Sequence, residues 1–165
     1  MPPITPIVPG PGQESVWDYP RPPRLERVAR RIEIVLGGVT IVDAPEAFRV
    51  LETSHPPVYY IVPAFIAPGA LVPVEGSSFC EWKGAARYFD VVGGSRVVPR
   101  GAWAYPDPTP GFAEIAGAVA FYAQPMDRCL VDGEVVTAQP GGFYGGWITK
   151  AIVGPFKGIP GSMGW

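Results

Sequence analysis

The sequence carries little charge. Of its 165 residues only 17% are charged, 13 of them basic and 15 acidic, and no run of basic residues is longer than the pair Arg30-Arg31. Proteins that bind nucleic acid through counterion release need an excess of Lys and Arg. The formal net charge of −2 lacks that excess, so we expect no nucleic-acid partner.

Cysteine and histidine are scarce as well. Cys80 and Cys129 are the only cysteines, neither belongs to a Cys-x-x-Cys pair, and His55 is the only histidine. Two thiols and one imidazole do not complete a four-ligand zinc site without carboxylates, so we expect no bound metal. In a reducing compartment both thiols are expected to be free rather than paired in a disulfide.

An uninterrupted apolar run is also missing. The longest stretch without a charge, residues 56–74, has the length to cross a bilayer as a helix but contains five prolines. Because proline removes a donor and clashes inside a helix, we expect an extended segment and no membrane partner. The chain opens Met1-Pro2-Pro3 without a basic region before an apolar block, so we expect no secretory signal and a cytoplasmic location.

Glycine and proline are abundant, with 21 Gly and 22 Pro, yet 47% of the residues are hydrophobic and 12% aromatic, which argues against disorder. Glycine and proline, which interrupt regular secondary structure, are densest in residues 1–24 and 139–165. We predict one domain over residues 25–138, with a Pro-rich aromatic arm before it and a Gly-rich aromatic arm after it. Three of the five tryptophans lie in the arms, outside the expected core. Large aromatic surface is costly to leave in water, so the arms should dock on the domain.

The middle of the chain shows period-2 patterning interrupted by glycine turns. Residues 31–36 alternate, Gly37-Gly38 is a hairpin signal, and residues 39–42 resume as the partner strand. The same pattern surrounds Gly93-Gly94 and Asp132-Gly133. We predict a mainly β domain of about nine strands in antiparallel sheets, sandwich-like or barrel-like. Two short helices are expected, over residues 25–29 and 112–117.

Reactive side chains are densest at Cys80-Glu81-Trp82-Lys83. Lys83 is the nearby group that could favour the thiolate of Cys80, so an enzyme using either residue is one hypothesis, with Glu52 as a further catalytic candidate. If this segment is a strand, however, Cys80 and Trp82 face one side and Glu81 and Lys83 the other. The alternative is therefore a buried Cys80 beside solvated charges.

Aromatic residues exceed what a core of this size needs. An aromatic-lined cleft with one or two charged residues is typical of a small-molecule site, whereas an aromatic core closing two sheets is the alternative. Arg49 and Glu52 either form an ion pair or point at a ligand. The predicted ligand-binding residues are Arg49, Glu52, Tyr60, Trp82, Lys83, Tyr88, Trp103 and Tyr105.

Signatures of other chemistries are weak. His55 lies in a Ser-His-Pro-Pro segment, where a turn residue bonding the local backbone is favoured over imidazole catalysis. The sequence has no Gly-x-Ser-x-Gly and no Gly-x-x-x-x-Gly-Lys-Ser/Thr. We therefore expect no cofactor.

Several motifs follow one another along the chain, at residues 37–43, 49–60, 80–84, 102–106 and 119–122. Together they resemble a known bacterial family, the domain of unknown function numbered 427, and the resemblance covers roughly residues 31–136. Residues 16–23, 146–149 and 154–158 are similar to longer members of that family. Glu81 departs from the pattern, where proline is expected before Trp-Lys-Gly.

The resemblance implies a compact β domain, of the tent-like kind in which two antiparallel sheets meet at an angle over a ligand pocket. The family has also carried a nucleotidyltransferase-like label. This sequence lacks the Asp-x-Asp carboxylates that would hold magnesium for such chemistry.

Three functions are open on this reading. The first is binding of a small molecule in an aromatic-lined cleft between sheets, with Arg49, Glu52 and Lys83 orienting it. The second is the enzyme that uses Cys80 or Lys83. The third is an interaction module whose arms exchange between protomers and form a homo-oligomer.

Overall fold

The structure, a computed structural model, describes residues 4–165. Met1–Pro3, on which the expectation about a signal segment partly rests, lie outside the described residues. The chain is mainly β, as predicted, and its sheets are antiparallel apart from one short parallel pair. Its 3-10 helices are Val16–Asp18, Pro63–Phe65 and Pro110–Ile115. The strands are β1 (Glu14–Ser15), β2 (Arg24–Val28), β3 (Ile32–Leu36), β4 (Val39–Ala44), β5 (Ala47–Leu51), β6 (Val58–Tyr60), β7 (Leu71–Cys80), β8 (Gly84–Gly93), β9 (Arg96–Ala104), β10 (Val119–Phe121), β11 (Arg128–Val131), β12 (Glu134–Val135), β13 (Thr137–Ala138), β14 (Trp147–Ile148) and β15 (Ile152–Val153).

Three sheets make up most of the molecule. Two have four strands, in the orders β12-β11-β3-β4 and β10-β9-β8-β7, and the third has three, in the order β2-β5-β6. Ile61, just after β6, pairs with Val119 of β10 through two backbone hydrogen bonds of 2.8 Å. This bridge holds the three-stranded sheet beside the β7–β10 sheet, which is where the candidate site described below lies.

The three predicted hairpins are present, and two of their turns touch each other. Gly37 has φ +60° and follows β3, whereas Gly93 ends β8 in the other four-stranded sheet. A Cβ on Gly37 would lie well inside van der Waals distance of the Gly93 carbonyl oxygen. Glycine therefore lets two sheets approach through their turns.

Two local expectations are corrected by the structure. The helix predicted over residues 25–29 is wrong, because Arg24–Val28 is strand β2 and pairs along its whole length with β5. A segment this short gains little from a helix on its own, so pairing with a neighbouring strand decides its conformation. The helix predicted over residues 112–117 overlaps the 3-10 helix at Pro110–Ile115.

The terminal segments contribute to the fold. Trp147 is 1% exposed within the main core, and its indole N–H donates to the carbonyl oxygen of Phe121 at 3.1 Å, so its expected position outside the core is wrong. Strand β1 pairs with β15, and the rings of Trp17 and Trp165 lie 5.3 Å apart. Exchange of these segments between protomers stays a prediction.

Among the described residues, no helix combines the length and apolar character that a bilayer crossing requires.

Candidate functional site

A cavity of about 420 Å³ lies between the β2-β5-β6 sheet and the β7–β10 sheet. Nine Phe, Tyr and Trp side chains contribute to its walls. Seven of the eight predicted ligand-binding residues line it, namely Glu52, Tyr60, Trp82, Lys83, Tyr88, Trp103 and Tyr105, whereas Arg49 does not. The catalytic candidate Cys80 lines it as well. The rings of Trp103 and Tyr105 also belong to a buried cluster with Tyr60, so the same side chains serve as core and as cavity wall.

Each ring is positioned by a different element. Tyr60 lies on β6, Tyr88 on β8 and Trp103 on β9, while Tyr122 follows β10 directly. The indole of Trp103 packs on the ring of Tyr122 with 4.6 Å between centroids. Burial raises the pKa of the Tyr60, Tyr105 and Tyr122 phenols, so these groups are neutral hydroxyls at pH 7.

The Cys80 to Lys83 segment is a hairpin turn rather than a continuous strand. Cys80 ends β7, residues 81–83 turn, and β8 begins at Gly84, which has φ +107°. Thr109 holds the turn, since its hydroxyl donates to the Trp82 carbonyl oxygen at 2.6 Å and its N–H donates to the Lys83 carbonyl oxygen at 3.1 Å. The turn removes the strand alternation, and both Cys80 and Lys83 line the cavity.

Arg49 lies apart from the cavity. It sits on β5, its side chain is 6% exposed, and it donates to Glu14 at 2.7 Å and to Glu26 at 2.8 Å. Burial alone would lower the pKa of Arg49, but the hydrogen bonds to both carboxylates raise this pKa by a larger amount, so the net change is upward. The structure thus gives Arg49 two carboxylate partners, neither of them Glu52, and Glu52 pairs instead with Arg21 at 3.4 Å.

His55 is a cavity residue, although its sequence context favoured a turn role. Its ring lies against Tyr144, with 5.0 Å between centroids, and its Nδ1 is 3.1 Å from the side-chain nitrogen of Gln139. The partner is 84 residues away in the chain, so no local pattern could reveal the pair. That His55 is the single histidine of the chain was the one available signal.

The hydrogen bonds of Gln139 determine the protonation of His55. The Gln139 amide oxygen accepts from the Gly146 N–H at 3.0 Å, and its nitrogen donates to the Lys157 carbonyl oxygen at 2.9 Å. Because a backbone N–H only donates and a carbonyl only accepts, the orientation of the amide is determined. Its second N–H then donates to Nδ1 of His55, which places the proton of the neutral imidazole on Nε2.

The imidazole is neutral at pH 7. Burial, followed by the charges of Lys157, Arg21 and Lys83, lowers the pKa of His55 from 6.5 to about 4. Its Nε2 lies 3.6 Å from Glu52, which is longer than a hydrogen bond and, with a neutral ring, is not an ion pair. His55 therefore offers the cavity an uncharged hydrogen-bond donor, its Nε2–H.

This depressed pKa makes the stability of the protein depend on pH. The unfolded chain binds a proton at His55 near pH 6.5 and the folded chain only near pH 4, so stability is lost as the pH falls between these values. From pH 7 to pH 4.5 we expect the free energy of unfolding to fall by about 2 kcal/mol more in the native protein than in His55→Gln. Chemical denaturation at both pH values measures the difference.

The single histidine also gives a direct readout. The imidazole signals in a nitrogen-15 NMR spectrum belong to His55 alone, and their titration should have its midpoint near pH 4 with Nε2 protonated above it. A midpoint near 6.5, or equal pH dependence of native protein and His55→Gln, would contradict the assignment.

The Gly-rich segment after β13 closes one side of the cavity. Gly145 packs directly on the Trp103 ring, where a Cβ would collide with the indole, and the Tyr122 hydroxyl donates to the Phe143 carbonyl oxygen at 3.2 Å. Tyr144 and Lys157 complete this side, with the Lys157 ammonium 5.7 Å from the Tyr144 ring centroid. The segment therefore supplies lining residues that the predicted set did not include.

Residues 4–165 contain no cluster of three or more His, Cys, Asp or Glu side chains suited to a metal ion. The polar groups around the cavity are instead ammonium, imidazole, hydroxyl, thiol and carboxylate groups. They can bind and orient an organic molecule through hydrogen bonds and charge.

The fold and the cavity together define a mainly antiparallel β protein with an aromatic-walled cavity between two sheets. The chain belongs to the family described as Domain of unknown function (DUF427), whose model matches residues 24–132. The resemblance noted from the sequence motifs is thereby confirmed. A search of curated proteins finds no match to this chain.

Proposed function

We propose that this protein binds a small organic molecule in the cavity between its β2-β5-β6 and β7–β10 sheets. The observation that carries the proposal is a cavity of about 420 Å³ whose walls include seven Tyr and Trp side chains. Ligand sites for small molecules fall in this size range and combine apolar walls with a few polar groups.

The arrangement of the rings favours a planar ligand. Trp82, Trp103 and Tyr105 face the cavity from one region of the β7–β10 sheet and its following loop, while Tyr60 and Val58 face it from the β2-β5-β6 sheet. A flat molecule between such walls removes aromatic surface from water on both of its faces. The buried rings of Trp103 and Tyr105 are already packed, so little order has to be created on binding.

Trp82→Ala is the variant that tests this proposal. Trp82 is half-buried, and its turn is held through backbone oxygens by Thr109, so truncation should leave the fold intact. A ligand found by screening metabolites with thermal shift and native mass spectrometry should bind roughly ten- to a hundred-fold more weakly to the variant, because one aromatic wall is lost. Isothermal titration calorimetry measures the change.

Trp17→Ala is the matched control, since Trp17 is another half-buried tryptophan and lies outside the cavity, beside Trp165. Its affinity for the same ligand should equal that of the native protein. A screen that finds no ligand, or a ligand that binds Trp82→Ala and Trp17→Ala with the same affinity, would count against the proposal.

A catalytic use of the same cavity is the second candidate. Cys80, Lys83 and Glu52 all line it, so a molecule bound there would lie beside a thiol, an amine and a carboxylate. These are the groups that nucleophilic and acid–base mechanisms use.

A further inference from the structure

One end of the cavity is rich in positive charge and hydrogen-bond donors. His55 lines this end, and the charges of Lys157, Arg21 and Lys83 all reach its ring. The opposing carboxylate there, Glu52, is engaged by Arg21 at 3.4 Å. Glu81, which is exposed, also lines the cavity. Three cations therefore face two carboxylates, which leaves this end with a net positive charge.

Lys83 is the cation with the least compensation. Within residues 4–165 its ammonium has neither an ion pair nor a hydrogen bond, and the Tyr105 ring centroid 5.6 Å away is its near neighbour. Lys157 differs, because its ammonium already donates to the Trp165 carbonyl oxygen at 3.1 Å. A half-buried ammonium without an acceptor favours an anionic group beside it.

The donor on His55 is held in place. Gln139 is buried and anchored to Gly146 and Lys157, and its second N–H occupies Nδ1 of His55. The remaining imidazole N–H, on Nε2, has no partner within hydrogen-bond distance in the described chain. The His55 side chain is 12% exposed and lines the cavity, so this N–H can reach a molecule bound there.

Resting on the proposed function, we infer that the ligand is a planar aromatic molecule bearing an anionic oxygen group, which pairs with Lys83 and accepts the hydrogen bond of His55 Nε2–H. The aromatic part lies among the Trp and Tyr rings, and the anionic oxygens lie at the electropositive end. Gln139 acts as a positioning residue, because it keeps the proton of the imidazole on the nitrogen that faces the ligand. A neutral imidazole donates this bond without adding a further charge to the cavity.

The test compares pairs of aromatic ligands in which one member carries an anionic oxygen group and the other is neutral. Indole-3-carboxylate and indole-3-carboxamide form one pair, and phenyl phosphate and phenol form a second, which separates a carboxylate source from a phosphate source. At pH 7 and low salt we expect the anionic member of at least one pair to bind ten-fold or more tightly than its neutral partner, measured by NMR titration of the full chain. The His55 Nε2–H signal should move on binding the anion.

Lys83→Met should remove that preference and leave the affinity for the neutral member within about two-fold, because the methylene stem is retained. Lys150→Met is the matched control, since Lys150 is an exposed lysine outside the cavity lining, and it should keep the full preference. Gln139→Leu should weaken the anion and shift the imidazole proton toward Nδ1, which the same spectrum reports. A merely structural role of Gln139 would leave the tautomer unchanged.

The outcomes separate the two proposals. If the neutral members bind as tightly as the anions, the inferred ligand class is wrong and small-molecule binding stands. If Lys83→Met and Lys150→Met keep the same preference, the assignment of Lys83 is wrong. If no member of either pair binds, the inference fails, and the metabolite screen with Trp82→Ala then decides the proposed function separately.

Discussion

Arg49→Met is expected to lower the free energy of unfolding by roughly 2–3 kcal/mol at pH 7. The guanidinium on β5 is buried and binds Glu14 of β1 and Glu26 of β2, and Glu14 also accepts from the Tyr19 hydroxyl at 2.7 Å. Removing the cation leaves two carboxylates close together without their donor. Both carboxylates are partly exposed, so water recovers part of the loss and the cost stays below that of a fully buried pair.

Arg27→Met is the matched control. Arg27 makes two hydrogen bonds to Glu46, at 2.6 and 3.2 Å, but its side chain is 61% exposed. Exposed pairs of this kind contribute little, so we expect no measurable change in stability. Urea denaturation of the two variants gives the comparison, and equal effects would show that burial of the Arg49 pair does not matter.

The loss caused by Arg49→Met should shrink in acid. Burial raises the pKa of Glu14, but the hydrogen bond from Arg49 and other interactions lower it more, so the net change is downward. A carboxyl with a lowered pKa stabilises the folded state above its unfolded pKa and loses that contribution as the pH falls through the folded value. Denaturation of native protein and variant at several pH values below 5 should show the two curves converging.

Gly37→Ala is expected to lower the free energy of unfolding by about 3 kcal/mol or more. Its φ of +60° disfavours any side chain, and the new methyl group would collide with the Gly93 carbonyl oxygen of the opposing turn. That oxygen belongs to the backbone, so relief of the collision requires the β3–β4 and β8–β9 turns to separate. The two turns belong to the two four-stranded sheets, and side chains of both sheets form the main core.

Gly38→Ala separates the two causes. Gly38 has φ +75°, but a methyl group in place of its hydrogen would meet no atom within 4 Å, so alanine there costs only the backbone strain, about 1 kcal/mol. Thermal and urea denaturation of both variants measure the difference. If Gly37→Ala were no worse than Gly38→Ala, the contact between the two turns would contribute nothing to stability.

Much of the fold could be predicted because its signals are local. Alternation along residues 31–36 and the Gly37-Gly38 dipeptide indicate a strand and a hairpin whatever the rest of the chain does. The mainly β class follows from repetition of that pattern. Residues 25–29 carry no comparable signal, and the strand there is decided by pairing with β5, from which two other strands separate it along the chain.

The candidate site could be predicted in part for the same reason. Aromatic residues recurring on short strands were consistent with a ring-walled cleft or an aromatic core, and the structure gathers Tyr60, Trp82, Tyr88, Trp103 and Tyr105 around one cavity. Arg49 was expected beside them. On a β-strand the partners of an arginine depend on what the neighbouring strands place opposite it, and here β1 and β2 place carboxylates there.

The sequence by itself determined the β class, the glycine hairpins, the family and the aromatic character of the site, since each depends on composition, period or ordered motifs. Only the tertiary structure decided that Trp147 is core, that Cys80 and Lys83 share a cavity, and that Gln139 orients His55. These outcomes depend on contacts between residues far apart in the chain. Burial and hydrogen-bond geometry at such contacts arise only when the sheets pack, so no local pattern encodes them.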